Sequence, residues 1–197
     1  GPHYALLGPE YAQLHPLIPP RTELRRVLVF FGGVDQDNHT ARALEALMEP
    51  ALAHLSVDVV VGRQSPHRKI LTELVDQRPL TTLHDALPSL AGLIARADLA
   101  IGAGGATAWE RICLKLPSIV IPLAKNQEIH ARALAEEKMI TLFDIDTNYF
   151  SLSSLLSDNS SDSSLIEYFN ASTFPAMVDG NGCARVAKCV LSLSQDG

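Results

Sequence analysis

The chain has 197 residues, 47% of them hydrophobic, which suffices for one well-packed core, so we expect a single domain behind a short lead-in. Its formal net charge of −6, from 16 basic and 22 acidic residues, argues against a nucleic-acid partner. The three cysteines lack CxxC spacing and predict neither a disulfide framework nor a metal site, and no apolar run reaches the roughly 18 residues of a membrane span, so we expect a cytoplasmic protein.

Residues 1–24 carry five prolines, a density that excludes a long regular element. We expect this segment to be a lead-in that lies along the surface, or a linker from something upstream, with the folded domain over residues 25–197. So short a segment ahead of the first strand also favours the interpretation that the chain is an excised domain. A β-branched and aromatic run at 27–31 predicts that strand, which ends at Gly32 and Gly33.

Helical and strand patterns alternate through the middle of the chain. Apolar spacing predicts helices at 41–55, 66–76, 88–97 and 126–137, and short apolar runs predict strands at 57–61, 81–84, 98–101, 117–122 and 140–145. About six β-α repeats predict an α/β fold, a Rossmann-like parallel sheet of about six strands with helices on both faces. The eight serines at 151–164 predict a mobile polar connection, and a last helix is expected at 183–192.

A strand, a glycine turn and a helix start follow one another at 98–110. Gly104 and Gly105 allow close backbone approach, and Thr107 suits the cap of the helix that follows. Unpaired amides and the positive end of the helix dipole would then point at one spot, which predicts an anion pocket. The glycines at 32–33 and 62 and the segment 125–127 also follow predicted strands, so we expect all of them at one edge of the sheet.

Other interpretations of the glycine turn are weaker. The Gly-x-Gly-x-x pattern at 102–106 resembles a dinucleotide fingerprint, but its third position is Thr107, and residues 122–125, about 20 positions further on, contain no acid for a ribose. A phosphate-loop NTPase is excluded more firmly because no Gly-Lys-Ser/Thr occurs. The glycines could also simply shape a tight βα turn, and that alternative stays open.

Each polar residue near these turns has both a structural and a functional interpretation. Glu110 can form a capping box with Thr107, or it can accept two ribose hydroxyls. Asp35 and Asn38 follow the first glycine turn and could form only a turn and a helix cap, whereas the glycine turn itself could admit a sugar ring or backbone from another domain. Asn126 suits the cap of the next helix, and Gln127 lies on the first turn of that helix, where its amide could contact sugar hydroxyls. No catalytic triad, metal cluster or carboxylate pair stands out.

Several segments resemble one family of enzymes. They are GPHYALLGPEY at 1–11, GGVDQDNHT at 32–40, DLAIGAGGATAWER at 98–111, LPSIVIPLAKNQ at 116–127 and VDGNG at 178–182. Together they resemble the C-terminal half of the UDP-2,4-diacetamido-2,4,6-trideoxy-β-L-altropyranose hydrolases of pseudaminic acid synthesis, which have relatives among spore-coat polysaccharide proteins. The resemblance runs over most of residues 1–145 and returns near 178–187.

This resemblance implies a GT-B architecture, in which the second of two Rossmann-like domains holds most of the nucleotide. It implies hydrolysis at C1 of the sugar with release of UDP, by a water that a histidine of the first domain activates. That first domain would be a missing partner here, and no cofactor or metal is implied. The matching residues are Gly104, Gly105, Ala106 and Thr107 for the pyrophosphate, Glu110 for the ribose, and Gly32, Gly33, Asn38, Asn126 and Gln127 near the sugar and phosphate.

The chain departs from the family at Gly8, where arginine is usual, at Lys125, where glutamate is common, and in the serine-rich segment. Lys125 would add positive charge beside the sugar pocket, so the sugar stays open. Two other functions fit the same residues: the nucleotide-binding domain of a UDP-sugar glycosyltransferase, and a non-catalytic domain that binds a UDP-sugar.

Overall fold

The computed structural model describes residues 1–143, 150–157 and 178–193. The strands are β1 (Arg26–Phe30), β2 (Ser56–Val60), β3 (Thr81–His84), β4 (Leu99–Ala103), β5 (Ser118–Ile121) and β6 (Thr141–Leu142). The helices are α1 (Pro9–Leu14), α2 (His39–Ala46), α3 (Arg68–Gln77), α4 (Ala91–Arg96), α5 (Thr107–Cys113), α6 (Lys125–Glu136), α7 (Phe150–Ser157) and α8 (Gly182–Leu193). Within these ranges, no helix combines the length and the apolar character that crossing a bilayer requires.

The six strands form one parallel sheet in the order β3-β2-β1-β4-β5-β6. The order reverses between β1 and β4, where Val29 pairs with Ile101. Such a reversal opens a crevice beyond the carboxyl ends of the strands, which is where ligands of these sheets bind. The predicted Rossmann-like fold, with helices on both faces, is confirmed.

Two hydrophobic cores lie on opposite faces of this sheet. Successive side chains of a strand point to opposite faces, so Val27 and Val29 enter one core and Leu28 enters the other. The first core packs beneath α2, α3 and α7, and the second beneath α1, α4, α5 and α6. Both faces of the sheet are therefore covered, as continuous apolar strands require.

The lead-in contributes side chains to the second core. Its regular elements are short, as the prolines predict: α1 and two 3-10 turns, Pro2–Tyr4 and His15–Leu17. Leu7, Tyr11 and Ile18 are nevertheless buried against the sheet helices. The lead-in therefore packs against the domain through these side chains, because prolines restrict the backbone but leave the apolar side chains free to enter a core.

Two predicted elements differ from those observed. The helix expected at 41–55 ends at Ala46, and a 3-10 turn, Pro50–Leu52, follows it. Proline cannot donate the helical hydrogen bond and disfavours helical backbone in the residue before it, and Glu49 indeed has φ −53° and ψ 134°. The strand expected at 140–145 is observed only over Thr141–Leu142, and residues 144–145 lie outside the described part.

The first half of the serine-rich segment is a packed helix and not a mobile connection. Helix α7 buries Leu152 and Leu156 completely in the first core. These leucines are four residues apart, the spacing of one helix face, and the surrounding serines obscured that pattern. Residues 158–164 of the predicted connection lie outside the described residues. The last predicted helix, at 183–192, is observed as α8.

Candidate functional site

Three glycine turns meet at the carboxyl edge of the central strands. A Cβ on Gly62, after β2, would lie 2.0 Å from the carbonyl oxygen of Gly33, after β1. A Cβ on Gly102, at the end of β4, would lie 2.2 Å from the carbonyl oxygen of Phe30. Only glycine allows such contact between neighbouring backbones. The expectation that these turns share one edge is correct.

A cavity of about 400 Å³ opens at this edge. Its lining comes from the end of β1, the loop after β2, the loop between β3 and α4, and the start of α5. The lining residues are Phe30, Gly33, Val60, 62–64, 86–90, Thr107 and Glu110. Of the predicted site residues, the cavity thus brings together Gly33, Thr107 and Glu110.

The capping box between Thr107 and Glu110 does not form. Helix α5 begins at Thr107 itself, and no side chain caps its first turn. The Oε2 atom of Glu110 is buried and, within the described part of the chain, has no hydrogen-bond partner. Burial raises the pKa of the Glu110 carboxyl, although Tyr11 and Arg111 oppose that effect. The Glu110 carboxylate therefore does not cap the helix on which it lies.

The glycine turn presents backbone amides next to this carboxylate. The carbonyls of Gly105 and Ala106 accept the amides of Ala108 and Trp109, which begin the helix. Across the described ranges, no hydrogen bond engages the amides of residues 105–107. The first amides of a helix lack partners inside that helix and are available to an acceptor outside it.

A buried arginine lies beneath the same turn. Arg111 is 3% exposed, and its Nη2 donates to the carbonyl oxygen of Ala103 over 2.6 Å. Its Nη1 packs against Gly102, where a Cβ would approach within 2.6 Å. Burial lowers the pKa of Arg111 to about 10, so the guanidinium stays charged at neutral pH. The turn therefore has a fixed positive charge under it, which the sequence did not lead us to expect.

The two polar residues after the first glycine turn, Asp35 and Asn38, have different surroundings. Asp35 accepts the amides of His39 and Thr40, each over 2.9 Å, and so caps the start of α2. Asn38 has left-handed backbone, with φ 55°, and its Oδ1 is buried without a partner among the described residues. Neither Gly32 nor Asn38 is among the residues that line the cavity.

Helix α6 starts differently from the prediction. It begins at Lys125 behind Ala124, and no side chain caps it, so Asn126 is not the cap. The Oε1 of Gln127 accepts the amide of Leu123 over 3.0 Å, which fixes the turn before the helix. A Cβ on Gly104 would lie 3.6 Å from the Cβ of Gln127, so this helix start adjoins the glycine turn. Neither Asn126 nor Gln127 lines the cavity.

Some residues of the site were missed at the sequence level. Gln64 and Ser89 lie on cavity-lining loops whose sequences contain no recognisable motif, although Gly62 marks the start of one of them. Tyr11, from the lead-in, works against the rise in the pKa of Glu110, an influence between residues far apart in the chain that local patterns do not predict. In the part of the chain that the structure describes, no three metal-ligating side chains cluster together.

Comparison of the chain with known protein families finds a matching domain family. Residues 27–171 match the glycosyltransferase family 28 C-terminal domain. The chain belongs to this family. The family 28 domain is 28% identical over 138 residues to the spore coat polysaccharide biosynthesis protein SpsG of Bacillus subtilis (strain 168), covering 70% of this chain and 41% of that protein. The chain therefore spans less than half the length of this curated relative.

Solved structures show the same fold at low sequence identity. The family 28 domain superposes on MurG of Acinetobacter baumannii with a TM-score of 0.61 and 16% identity, over 95% of this chain and 55% of that one. It superposes on the spinosyn rhamnosyltransferase SpnG, complexed with thymidine diphosphate, with a TM-score of 0.58 and 23% identity, over 87% of this chain and 48% of the other. The fold is that of a GT-B C-terminal domain.

Proposed function

We propose that this family 28 domain is the nucleotide-binding half of a two-domain enzyme that acts on a UDP-sugar. The observation that carries the proposal is Glu110, whose buried oxygen lacks a partner among the described residues at the wall of the cavity. A buried carboxylate without a hydrogen bond is costly, and a ligand with hydroxyl donors removes that cost. The two ribose hydroxyls of a nucleotide match the two oxygens of the carboxylate.

The glycine turn supplies the other half of a nucleotide site. The amides of 105–107 are available as donors, and the Arg111 guanidinium adds positive charge beneath them. A pyrophosphate over this turn would be bound by backbone dipoles and a buried charge, which suits a chain whose net charge is negative. The distance from turn to Glu110 is one helical turn, so ribose and phosphate sites are adjacent.

The identity of the nucleotide and the reaction rest on further arguments. A cavity of about 400 Å³ has the size of a small-ligand site. SpnG, which shares this fold, is complexed with thymidine diphosphate, another pyrimidine nucleotide. The resemblance of residues 98–111 to UDP-sugar hydrolases favours uracil as the base and cleavage at C1 of the sugar. In that reaction water bonds to C1, the C1–O bond to UDP breaks, and a base takes the water proton.

A second candidate is sugar transfer to an acceptor hydroxyl. Membership of family 28 favours it, because the family is named for glycosyltransferases. Both reactions use the same nucleotide site and differ in what attacks C1, which a first domain would determine. The similarity to SpsG supports a role in polysaccharide biosynthesis for either candidate.

Calorimetry of this chain with UDP, CDP, TDP and NAD tests the nucleotide assignment. We expect UDP to bind tightest, and Glu110→Gln to weaken UDP by about tenfold or more, as for the loss of a charge-assisted hydrogen bond. Because burial raises the pKa of Glu110, its ionisation opposes folding at neutral pH, so Glu110→Gln should not lower the melting temperature. The exposed Glu128→Gln is the control and should change neither quantity. Tightest binding by NAD would refute the proposal.

The reaction is tested with the full-length enzyme and its UDP-sugar in ¹⁸O-labelled water. Hydrolysis predicts one UDP per free sugar without an acceptor, with the label on C1. Transfer predicts little turnover until an acceptor is added and no label on C1. The assay therefore decides between the two candidates independently of the binding result.

A further inference from the structure

One buried carboxylate joins four elements of the fold. Asp58 lies in the middle of β2 and is fully buried. Its Oδ1 accepts from His84 Nε2 over 2.7 Å and from Arg96 Nη2 over 2.6 Å. Its Oδ2 accepts from Arg96 Nε over 3.2 Å and from Arg26 Nη1 over 3.1 Å. Because a carboxylate only accepts, the Nε2 of His84 carries the proton of that bond.

Two of these donors stand at the ends of a connection that lines the cavity. His84 is the last residue of β3, and Arg96 is the last residue of α4. The loop 85–90 leads from β3 to α4, and its last five residues line the cavity. Val60, on the same face of β2 as Asp58, lines the cavity as well. Asp58 therefore ties the start of this loop, and the end of the helix after it, to a strand that borders the cavity.

The burial of this carboxylate has a better explanation than stability alone. The neighbouring strand residues Val57, Val59 and Val60 are buried and apolar. An apolar side chain in place of a buried ion cluster is often as stable or more so, whereas the cluster can fix one geometry. Helix α4 has only six residues, too few to be stable through its own hydrogen bonds. The cluster is explained if it sets where the loop and this short helix lie.

We propose that Asp58 is a positioning residue, which acts through His84 and Arg96 to hold the loop 85–90 in the shape that contacts the nucleoside part of the nucleotide. The inference rests on the proposed function of the cavity. In that function the pyrophosphate lies on the amides of 105–107, which belong to a different loop. A loop that is already ordered costs less to bind than one that the ligand must order. Asp58 then contributes to affinity for the nucleoside and not for the pyrophosphate.

A second ion pair reaches the same loop and provides a comparison. Arg68 of α3 pairs with Asp85, the first residue of the loop, and both side chains are more than half exposed. An exposed pair of this kind contributes little to holding a structure. The buried cluster around Asp58 and the exposed pair therefore predict different effects when an arginine is removed from each.

Arg96→Met removes two of the four hydrogen bonds to Asp58 and keeps an apolar stem. Because the Arg96 side chain is 48% exposed, we expect the variant to fold. Calorimetry on this chain measures UDP binding, and competition with UDP measures the affinity for inorganic pyrophosphate. We expect UDP to weaken about fivefold, the effect of one net hydrogen bond, and pyrophosphate to be unchanged.

Two further variants of arginine refine this experiment. Arg96→Lys keeps the positive charge and one donor group, so it should recover part of the lost UDP affinity. Arg68→Met makes the same change in charge at the exposed pair and is the matched control. It should leave UDP affinity within about twofold of that of the unmodified chain.

A double-mutant cycle tests whether Arg96 acts through Asp58. Asp58→Asn weakens the shared acceptor, and its melting temperature sets the temperature at which binding to the folded variant is measured. Residues that act through one contact have non-additive effects. Arg96→Met should therefore weaken UDP in the unmodified chain and cause little further loss in the Asp58→Asn background. Additive losses would mean that Arg96 acts on the ligand without Asp58.

The outcomes separate this inference from the proposed function. Equal weakening of UDP and pyrophosphate by Arg96→Met would mean that the cluster only stabilises the domain. Unchanged UDP affinity, or an equal loss in Arg68→Met, would overturn the role of Asp58 while leaving the UDP site intact. Failure of the unmodified chain to bind UDP would remove the proposed function and this inference with it.

Discussion

Two carboxylates of this domain, Asp58 and Glu110, have opposite surroundings. Asp58 on β2 is fully buried and accepts from His84 Nε2 at 2.7 Å, Arg96 Nη2 at 2.6 Å and Arg26 Nη1 at 3.1 Å. Burial by itself would raise the pKa of Asp58, but these donors outweigh it, and the pKa lies below its usual value. Among the described residues, the Oε2 of Glu110 has no such donor, and burial raises the pKa of its carboxyl. The first carboxylate is held by the fold, whereas the Oε2 of the second makes no hydrogen bond with the described residues.

Asp58→Asn should destabilise the domain at neutral pH. A folded-state pKa below the unfolded value gives stability that is present above the unfolded pKa and is lost as pH falls through the folded pKa. We expect a loss of about 1–3 kcal/mol, since Arg26 and Arg96 are partly exposed and can turn to water when their acceptor is removed.

Denaturant unfolding at pH 7 and below about pH 4, the usual value for an aspartate, measures this effect. The difference in unfolding free energy between the unmodified domain and Asp58→Asn should shrink at the lower pH. Asp85→Asn, which breaks the exposed pair between Asp85 and Arg68, is the control and should cost little at either pH. If Asp58→Asn lost the same free energy of unfolding at both pH values, the shape of the Asp58 side chain would matter more than its charge.

At the scale of elements, the site depends on how closely the turns after the strands approach one another. Gly62→Ala would put a Cβ 2.0 Å from the Gly33 carbonyl oxygen, a contact that forces the two loops apart. We expect this variant to lose about 1–3 kcal/mol of stability and to weaken UDP strongly, because both loops line the cavity.

Gly92→Ala is the matched control for this change. Gly92 lies in α4, where an added Cβ meets nothing within 4 Å, and alanine there should stabilise the helix by about 0.5–1 kcal/mol. Thermal unfolding and calorimetry on both variants give the comparison. Normal UDP binding by Gly62→Ala would contradict the view that this backbone contact shapes the site.

The elements also show what local sequence patterns can and cannot predict. The strands were predicted well, because an apolar run bounded by glycine or proline has few other solutions in a parallel sheet. The helix predicted at 41–55 was too long because its apolar spacing continues past Pro50, which breaks the backbone. Helix α7 was missed because its two core leucines stand among serines.

The candidate site was predictable where one short stretch carries it. Residues 98–110 form a strand-turn-helix unit, and parallel strand order places this turn at the same edge of the sheet as Gly33. The sequence did not predict which side chains surround Glu110, because Tyr11 and Ser89 belong to segments that are far from it in the chain. Only tertiary packing decides whether Glu110 caps a helix or faces a cavity.

For the whole molecule, net charge and local charge act in opposite directions. A formal charge of −6 opposes the approach of an anion at long range, whereas at the proposed site the amides of 105–107 and the Arg111 guanidinium would attract it at short range. Salt screens the first effect, whereas it screens the Arg111 guanidinium much less, because that group is buried.

UDP affinity should therefore depend little on ionic strength. Raising NaCl from about 50 to about 500 mM should change the dissociation constant by less than about threefold. Calorimetry at several salt concentrations measures this, with Arg111→Met as the comparison, which should bind UDP more weakly at every salt concentration. A steep loss of affinity with salt would instead indicate exposed lysines and arginines as the phosphate ligands.

The contact between the Gly33 and Gly62 turns has a consequence for changing nucleotide preference. The approach of these two loops is set by main chain against main chain, so it does not depend on the side chains that project from the loops. Arg63, Gln64 and Leu87 line the cavity from loops and can be randomised without rebuilding either core. A library confined to these three positions is thus a compact starting point for exchanging one nucleobase for another.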